Sequence, residues 1–210
     1  MSKREKIDQW SLLYRILKFF PVGPAHNMYY RKIQIQHADR IPEGEPVIIA
    51  PNHQNALMDA MAFVIGLKYQ TVFLARADIF KSKLVIDLLT FLKIMPVYRI
   101  RDGISSLQKN DEIFDLTVNV LRNKINPLCL FPEGNHGDKR RLRPLVKGIF
   151  RIAFKAQEDY GTKPGIKIIP VGIDYSHYQK FRQTQLINFG EPIEVCEYWK
   201  DFEENPGIAM

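Results

Sequence analysis

Cysteine is scarce. Cys129 and Cys196 are the only two in 210 residues, too few for a disulfide framework or a thiolate metal cluster. Cys129 lies in the apolar run Pro127-Leu128-Cys129-Leu130-Phe131 and is expected to be a small buried hydrophobe. Nothing in this usage points to an oxidising compartment. Long apolar runs are also missing: none approaches the roughly 18 residues of a spanning helix. The Gly-x-Ser-x-Gly elbow of an α/β hydrolase does not occur, and neither do a P-loop or Gly-x-Gly-x-x-Gly. No nucleic-acid module or basic-aromatic strand pattern is found, so no nucleic-acid partner is expected. The histidines His26, His37, His136 and His177 are scattered. They offer no metal cluster, and each reads as structural or surface, with His136 a candidate to line a site. Repeats, low-complexity tracts and internal linkers are absent.

What remains is the composition of one globular domain, 46% hydrophobic and 25% charged, long enough to bury a proper core. The net charge of +7 favours an anionic partner: a phosphorylated substrate, a membrane leaflet, nucleic acid or an acidic protein. Charge alone does not choose among them.

The first residues combine Lys3, Arg4 and Lys6 with Trp10, Leu12, Leu13, Ile16, Leu17, Phe19 and Phe20. Arg15 and Lys18 interrupt the apolar stretch that a signal peptide would need. The segment reads as a short amphipathic helix ended by Pro21-Val22-Gly23-Pro24. Its apolar side suits either a membrane interface or the domain's own core. Residues 1–24 are accordingly set apart as an interface segment, and 25–210 as one domain.

Along that domain, strands are expected at Lys32–Gln36 (an edge), Pro46–Ala50, Thr71–Ala75, Met95–Tyr98, Leu128–Phe131, Ile166–Ile173 and Gln185–Phe189, the last of these finishing the sheet. Helices are expected at Ala56–Leu67, Phe80–Lys93, Leu107–Arg122 and Leu145–Glu158. Alternation with short links predicts an α/β fold, a single domain with a mostly parallel central sheet flanked by helices, plus the N-terminal amphipathic helix.

In such sheets chemistry gathers beyond the carboxyl ends of strands, and four segments there are unusual. Asn52-His53 follows the second strand, with Asp59 in the first turns of the next helix. A histidine oriented by a carboxylate can take a proton from a hydroxyl. On one continuous helix, six positions would put the two residues on different faces. His53 must therefore lie in the turn before the helix if they are to meet. Met95-Pro96-Val97-Tyr98-Arg99-Ile100-Arg101 sets Arg99 and Arg101 beyond a strand, either as a phosphate clamp or as solvated arginines. Phe131-Pro132-Glu133-Gly134 offers a glycine for close backbone approach and Glu133 for a substrate hydroxyl. The basic run after it, Lys139-Arg140-Arg141-Leu142-Arg143 with Lys147, is a solvated loop or an anion contact. Ile168-Ile169-Pro170-Val171-Gly172 holds a proline, which marks an edge strand or a special turn.

Taken in order, these four segments resemble the motif blocks of the glycerophospholipid acyltransferase family, which includes the 1-acylglycerol-3-phosphate acyltransferases. Phe131-Pro132-Glu133-Gly134 and Ile169-Pro170-Val171 match the third and fourth blocks as they stand. Two departures are visible. Five residues, Gln54 to Met58, separate His53 from Asp59, one more than in the commonest family pattern, and Asn135-His136 stands where Thr-Arg often follows. The resemblance implies transfer of a fatty acyl group, without a covalent acyl-enzyme, to a hydroxyl of lysophosphatidate. Glycerol 3-phosphate or another lyso-lipid is the alternative acceptor, and a non-catalytic lipid-binding protein is the rival of another class. His53 would be the base and Asp59 its orienting partner, with backbone N–H groups at the start of the next helix stabilising the oxyanion. Arg99, Glu133 and Gly134 would hold the acceptor, with Asn52, Arg101, Arg141 and Lys147 counted among the substrate-facing residues. No metal or cofactor is implied beyond acyl-CoA or acyl-ACP as co-substrate. The implied partners are a membrane surface with anionic lipids, a glycerophosphate-type acceptor and the thioester donor, possibly on acyl carrier protein. The implied location is peripheral, on the cytoplasmic face of a membrane.

Overall fold

A computed structural model describes residues 7–97, 105–135, 137 and 140–210, with 105–110 described by backbone alone. The expectations for Tyr98, Arg99, Arg101, His136 and Lys139 fall outside the described residues.

The elements run α1 (Leu12–Leu17), a π-helical turn (Lys18–Val22), α2 (Gly23–Tyr29), β1 (Tyr30–Gln36), β2 (Val47–Pro51), α3 (Ala56–Gly66), β3 (Val72–Arg76), α4 (Lys83–Phe91) and β4 (Ile94–Val97). They continue with α5 (Ser105–Asn123), β5 (Leu128–Cys129), α6 (Gly148–Gln157), β6 (Lys167–Tyr175), β7 (Gln183–Phe189), β8 (Ile193–Glu194), α7 (Trp199–Glu204) and α8 (Pro206–Ala209). The strands form one sheet in the order β1-β7-β6-β2-β5-β3-β4, with β8 paired to β6. Every pairing is parallel except β6 with β7 and β6 with β8. The fold is thus a mostly parallel α/β sheet flanked by helices.

Side chains on β2 alternate between two cores because the strand pleat has a period of two. Ile48 packs with Leu128 and Met95 against α5, α6 and Trp199. Val47 and Ile49 pack with Val171, Ile173 and Phe189 against Ala62 and Phe63 of α3. With both faces covered, β2 is buried along almost its whole length. Since β2 to β6 share one direction, their carboxyl ends open on the same edge of the sheet.

Four expectations need correction. The sheet does not finish at Phe189, because β8 adds to β6. The helix expected from Phe80 begins at Lys83, where the Ser82 hydroxyl accepts the Val85 N–H and caps it. Pro170 does not place its strand at an edge, since β6 lies between β2 and β7. The proline carbonyl accepts the Gly190 N–H (2.8 Å) one residue past the last β6·β7 pair, Val171 with Phe189. A side chain at Gly190 would meet the Pro170 ring at 2.9 Å, which is why glycine stands there.

The fourth concerns the N-terminus: the helix does not stop at Pro21-Val22-Gly23-Pro24. It passes through the π turn into α2, where the Gly23 N–H donates back to the Lys18 carbonyl. A Cβ at Gly23 would lie 2.8 Å from that carbonyl oxygen, so only glycine makes the turn. Pro24 sits in the first turn of α2, where no backbone donor is needed. Of the two orientations left open for the apolar side, the outward one is found. Tyr14 and Lys18 face inward, Lys18 donating to the Leu67 carbonyl. Leu12, Leu13, Ile16, Phe19 and Phe20 are exposed, Phe20 at 77%. The segment is held to the domain by polar bonds: Lys93 Nζ to the carbonyls of Ile7 (2.7 Å) and Gln9 (2.5 Å), and Gln70 to both backbone groups of Ser11. Burial pushes the Lys93 amine down to about 8.

Candidate active site

The site grows from the end of β2. The Asn52 N–H donates to the Val171 carbonyl (3.2 Å), and its side-chain amide both donates to the Ile173 carbonyl (3.0 Å) and accepts the Ile173 N–H (2.6 Å). Asn52 is expected to face substrate. Instead its amide imitates a strand neighbour and extends the β2·β6 ladder by a side chain, pinning the chain where it leaves the sheet.

His53 follows in the turn. Its N–H donates to Glu133 Oε1 (2.8 Å), its carbonyl accepts the Gly137 N–H (3.2 Å), and its ring stacks on Phe131 at 4.0 Å between centroids. Its Nδ1 lies 2.9 Å from Asp59 Oδ2, so sequence separation six is bridged because His53 precedes the helix. A carboxylate on Nδ1 holds the tautomer that turns Nε2 into the basic nitrogen and stabilises the imidazolium.

Asp59 is fully buried in the first turn of α3. Its Oδ2 also accepts the N–H groups of Gln54 (2.8 Å) and Asn55 (2.7 Å), and Oδ1 accepts the Tyr175 hydroxyl (2.7 Å). A buried carboxylate needs such donors, and the positive end of α3 adds to them. The N–H groups of Gln54 and Asn55, just ahead of α3, are therefore spent on Asp59. Residues around Asp59 feel its charge. Burial first, then Asp59, push the Tyr175 hydroxyl and the Cys129 thiol upward.

Glu133 differs from its expected role as well. It is buried, and its two oxygens accept backbone N–H groups, Oε1 from His53 and Oε2 from Arg143 (3.2 Å). It clamps the histidine turn to the basic segment. Gly134 has φ +65 and closes the turn with its N–H on the Phe131 carbonyl (3.0 Å). Arg141 and Lys147 are exposed, and Lys147 Nζ reaches the Gly207 carbonyl (3.3 Å). Arg140 donates to the carbonyls of Tyr175 and Ser176 and lies over the Tyr178 ring. Among the described residues, no group of three or more His, Cys, Asp and Glu could hold a metal ion.

Sequence reasoning missed Tyr175 and Gln185, and it did not connect His26, read there as structural or surface, with them. The Tyr175 hydroxyl accepts from Gln185 Nε2 (3.2 Å), and Gln185 Oε1 meets His26 Nε2 at 3.1 Å. The available signal was Tyr175 itself, the polar end of an inward-facing series with Ile169, Val171 and Ile173. A buried tyrosine hydroxyl calls for a partner.

A family model described as "Acyltransferase" matches residues 32–174. Glycerol-3-phosphate O-acyltransferase 1 of Saccharomyces cerevisiae is 36% identical over 33% of this chain and 9% of its own length. The yeast Glycerol-3-phosphate O-acyltransferase 2 is 31% identical over 46% of this chain and 13% of its length. The chloroplastic 1-acyl-sn-glycerol-3-phosphate acyltransferase BAT2 of Brassica napus is 24% identical over 68% and 37%. The chain thus spans well under half of each of these relatives. The solved structure of the 1-acyl-sn-glycerophosphate (LPA) acyltransferase PlsC from Thermotoga maritima shares the fold, with a TM-score of 0.63 and 19% identity, covering 100% of this chain and 78% of that one.

Proposed function

The chain belongs to the acyltransferase family, and from that premise we propose that it moves a fatty acyl group from a thioester to a hydroxyl of a glycerophosphate-type acceptor, lysophosphatidate first among them. The observation that carries the reading is the 2.9 Å bond between His53 Nδ1 and buried Asp59 at the carboxyl edge of the sheet. His53 takes the acceptor's hydroxyl proton at Nε2 as the oxygen attacks the thioester carbonyl. Collapse of the tetrahedral adduct breaks the carbon–sulfur bond and expels the thiolate, which takes up that proton from the imidazolium. General-base help of this kind supplies roughly 10²–10⁴-fold. The donor is acyl-CoA or acyl-ACP, and the chemistry calls for no further cofactor. Arg99, Arg101, Arg141 and Lys147 are the cations assigned to the phosphate.

A membrane surface is the proposed working place, peripheral and on the cytoplasmic face. Supporting it are the outward Leu12, Leu13, Ile16, Phe19 and Phe20, a patch that water disfavours and a lipid interface accepts. The positive net charge suits anionic lipids. Among the described residues no helix is long and apolar enough to cross a membrane.

Glycerol 3-phosphate is the second acceptor to weigh, because two yeast relatives bear that name at 36% and 31% identity. The test offers a radiolabelled acyl thioester with lysophosphatidate, glycerol 3-phosphate and a neutral lyso-lipid in parallel, vesicles supplied. Labelled product with lysophosphatidate, lost in His53→Ala, is the expected result. Product from glycerol 3-phosphate alone transfers the assignment to that acceptor, and an active His53→Ala variant ends the general-base mechanism.

A further inference from the structure

Behind Asp59 runs a buried line of hydrogen bonds whose direction is fixed at every link. Asp59 Oδ2 takes three donors, from His53, Gln54 and Asn55, so Oδ1 is the oxygen left for Tyr175. A carboxylate only accepts, so the tyrosine spends its single proton there. Its oxygen must then accept, and the donor is Gln185 Nε2. That choice orients the glutamine amide and turns its carbonyl toward His26, whose Nε2 must carry a proton. Tyr175 and Gln185 are fully buried and His26 nearly so. The Tyr30 ring packs between the two ends of the line, 4.9 Å from His26 and 5.9 Å from Tyr175. No link can be reversed without leaving two buried donors or two buried acceptors face to face.

We propose that Tyr175 is a positioning residue for the His53–Asp59 pair, and that the line Tyr175–Gln185–His26 ties the seat of the N-terminal helix α2 to the geometry of that pair. The inference rests on the proposed acyl-transfer role of His53 and Asp59, and it adds residues outside the four motif blocks. The Tyr175 hydroxyl fixes the rotation of the carboxylate and draws charge toward Oδ1. Without it, Oδ2 holds more charge for the His53 Nδ1–H and the carboxylate is free to turn. His26 lies on the same helical segment as the exposed Phe19, Phe20 and Met28. The part of the molecule offered to lipid is therefore joined to the reacting pair through two side chains, each buried in the sheet.

The test uses the whole chain and two readouts. The first is the proton resonance of the His53 Nδ1–H, assigned by its loss in His53→Ala, which requires no substrate. The second is kcat and KM for the acceptor that the wild type uses. In Tyr175→Phe, which keeps the ring, the resonance moves downfield. With it, kcat falls on the order of tenfold, the scale of one hydrogen bond to a charged group, while the acceptor KM holds. His26→Leu moves the resonance the same way by less. His26→Gln, whose amide nitrogen reaches as far as imidazole Nε2, restores it. If Tyr175→Phe does not fold, Gln185→Met and His26→Leu carry the same comparison. A wild-type resonance together with a wild-type kcat in Tyr175→Phe would overturn the proposal. A shift in Tyr175→Phe with none in His26→Leu would overturn the tie to α2. A wild-type chain that transfers nothing would remove the acyl-transfer reading, yet the resonance would still decide whether the line positions His53.

Discussion

Glu133→Gln separates two roles for the same side chain. If Glu133 held a substrate hydroxyl, the glutamine amide could still hold it, and the change would surface as a higher acceptor KM. The structure gives both carboxylate oxygens to backbone N–H groups, His53 at 2.8 Å and Arg143 at 3.2 Å, at a site that is only 6% exposed. A glutamine has one carbonyl oxygen and one NH2. Whichever way it turns, its NH2 faces an N–H that it cannot satisfy. The better bond is to His53, so the amide oxygen stays there and the bond from the Arg143 N–H is lost.

One lost hydrogen bond and one buried donor left unmatched cost about 2 kcal/mol together. In a chain of this size that lowers Tm by about 4–8 °C. The segment carrying Arg143 then no longer braces the turn, and His53 drifts relative to its target. Misplacement on the ångström scale costs up to about a hundredfold in rate. The expected result is a lower Tm by thermal unfolding and a lower kcat in the transfer assay, with acceptor KM nearly unchanged. An unchanged Tm with a raised acceptor KM would refute the clamp and return Glu133 to the substrate.

Three further outcomes follow from other parts of the molecule. Burial holds His26 below its ordinary value of 6.5, with the Gln185 bond opposing in part. The unfolded chain therefore binds the extra proton more readily, and the stability tied to neutral His26 is whole above 6.5 and lost as pH falls toward the folded-state value. The Tm advantage of wild type over His26→Gln, measured down through that range, should narrow, and a constant gap would contradict it. Phe19→Ser with Phe20→Ser should leave Tm close to wild type, because both rings are exposed. It should weaken sedimentation with anionic vesicles by at least about 3 kcal/mol, roughly a hundredfold, and undiminished binding would place the lipid contact elsewhere. Arg99→Ala should raise the acceptor KM with little effect on kcat, read by varying acceptor at saturating thioester, and an unchanged KM would shift the phosphate clamp to Arg101 or Arg141.

Much of the fold was open to inspection in the sequence, for a physical reason. Apolar runs such as Pro46–Ala50 and Ile166–Ile173 are short and flanked by polar turns, so their identity as buried strands needs only local information. The His53–Asp59 arrangement was open to counting as well: five intervening residues rule out one helical face, and the turn is the remaining solution. The roles of Asn52 and Glu133 were not. A polar side chain at a strand end can satisfy a ligand or a backbone, and the deciding groups, Ile173 and Arg143, arrive from other parts of the chain. Both residues proved to hold the backbone that carries the histidine.

The N-terminal segment shows the same limit from the other side. Tyr14 and Lys18, four residues apart, share one helical face, but periodicity cannot say whether that face or the leucine and phenylalanine face turns inward. The face with Tyr14 and Lys18 turns inward, with the Leu67 carbonyl taking the Lys18 amine, while Lys93 and Gln70 fasten the backbone before α1. Apolar packing would have hidden Phe19 and Phe20. Polar fastening leaves them outside and brings His26 within reach of Gln185. One set of buried hydrogen bonds therefore accounts for two features that composition could not order: an apolar surface turned to solvent, and the buried Asp59 carboxylate bonded through Tyr175 and Gln185 to the helix beside it.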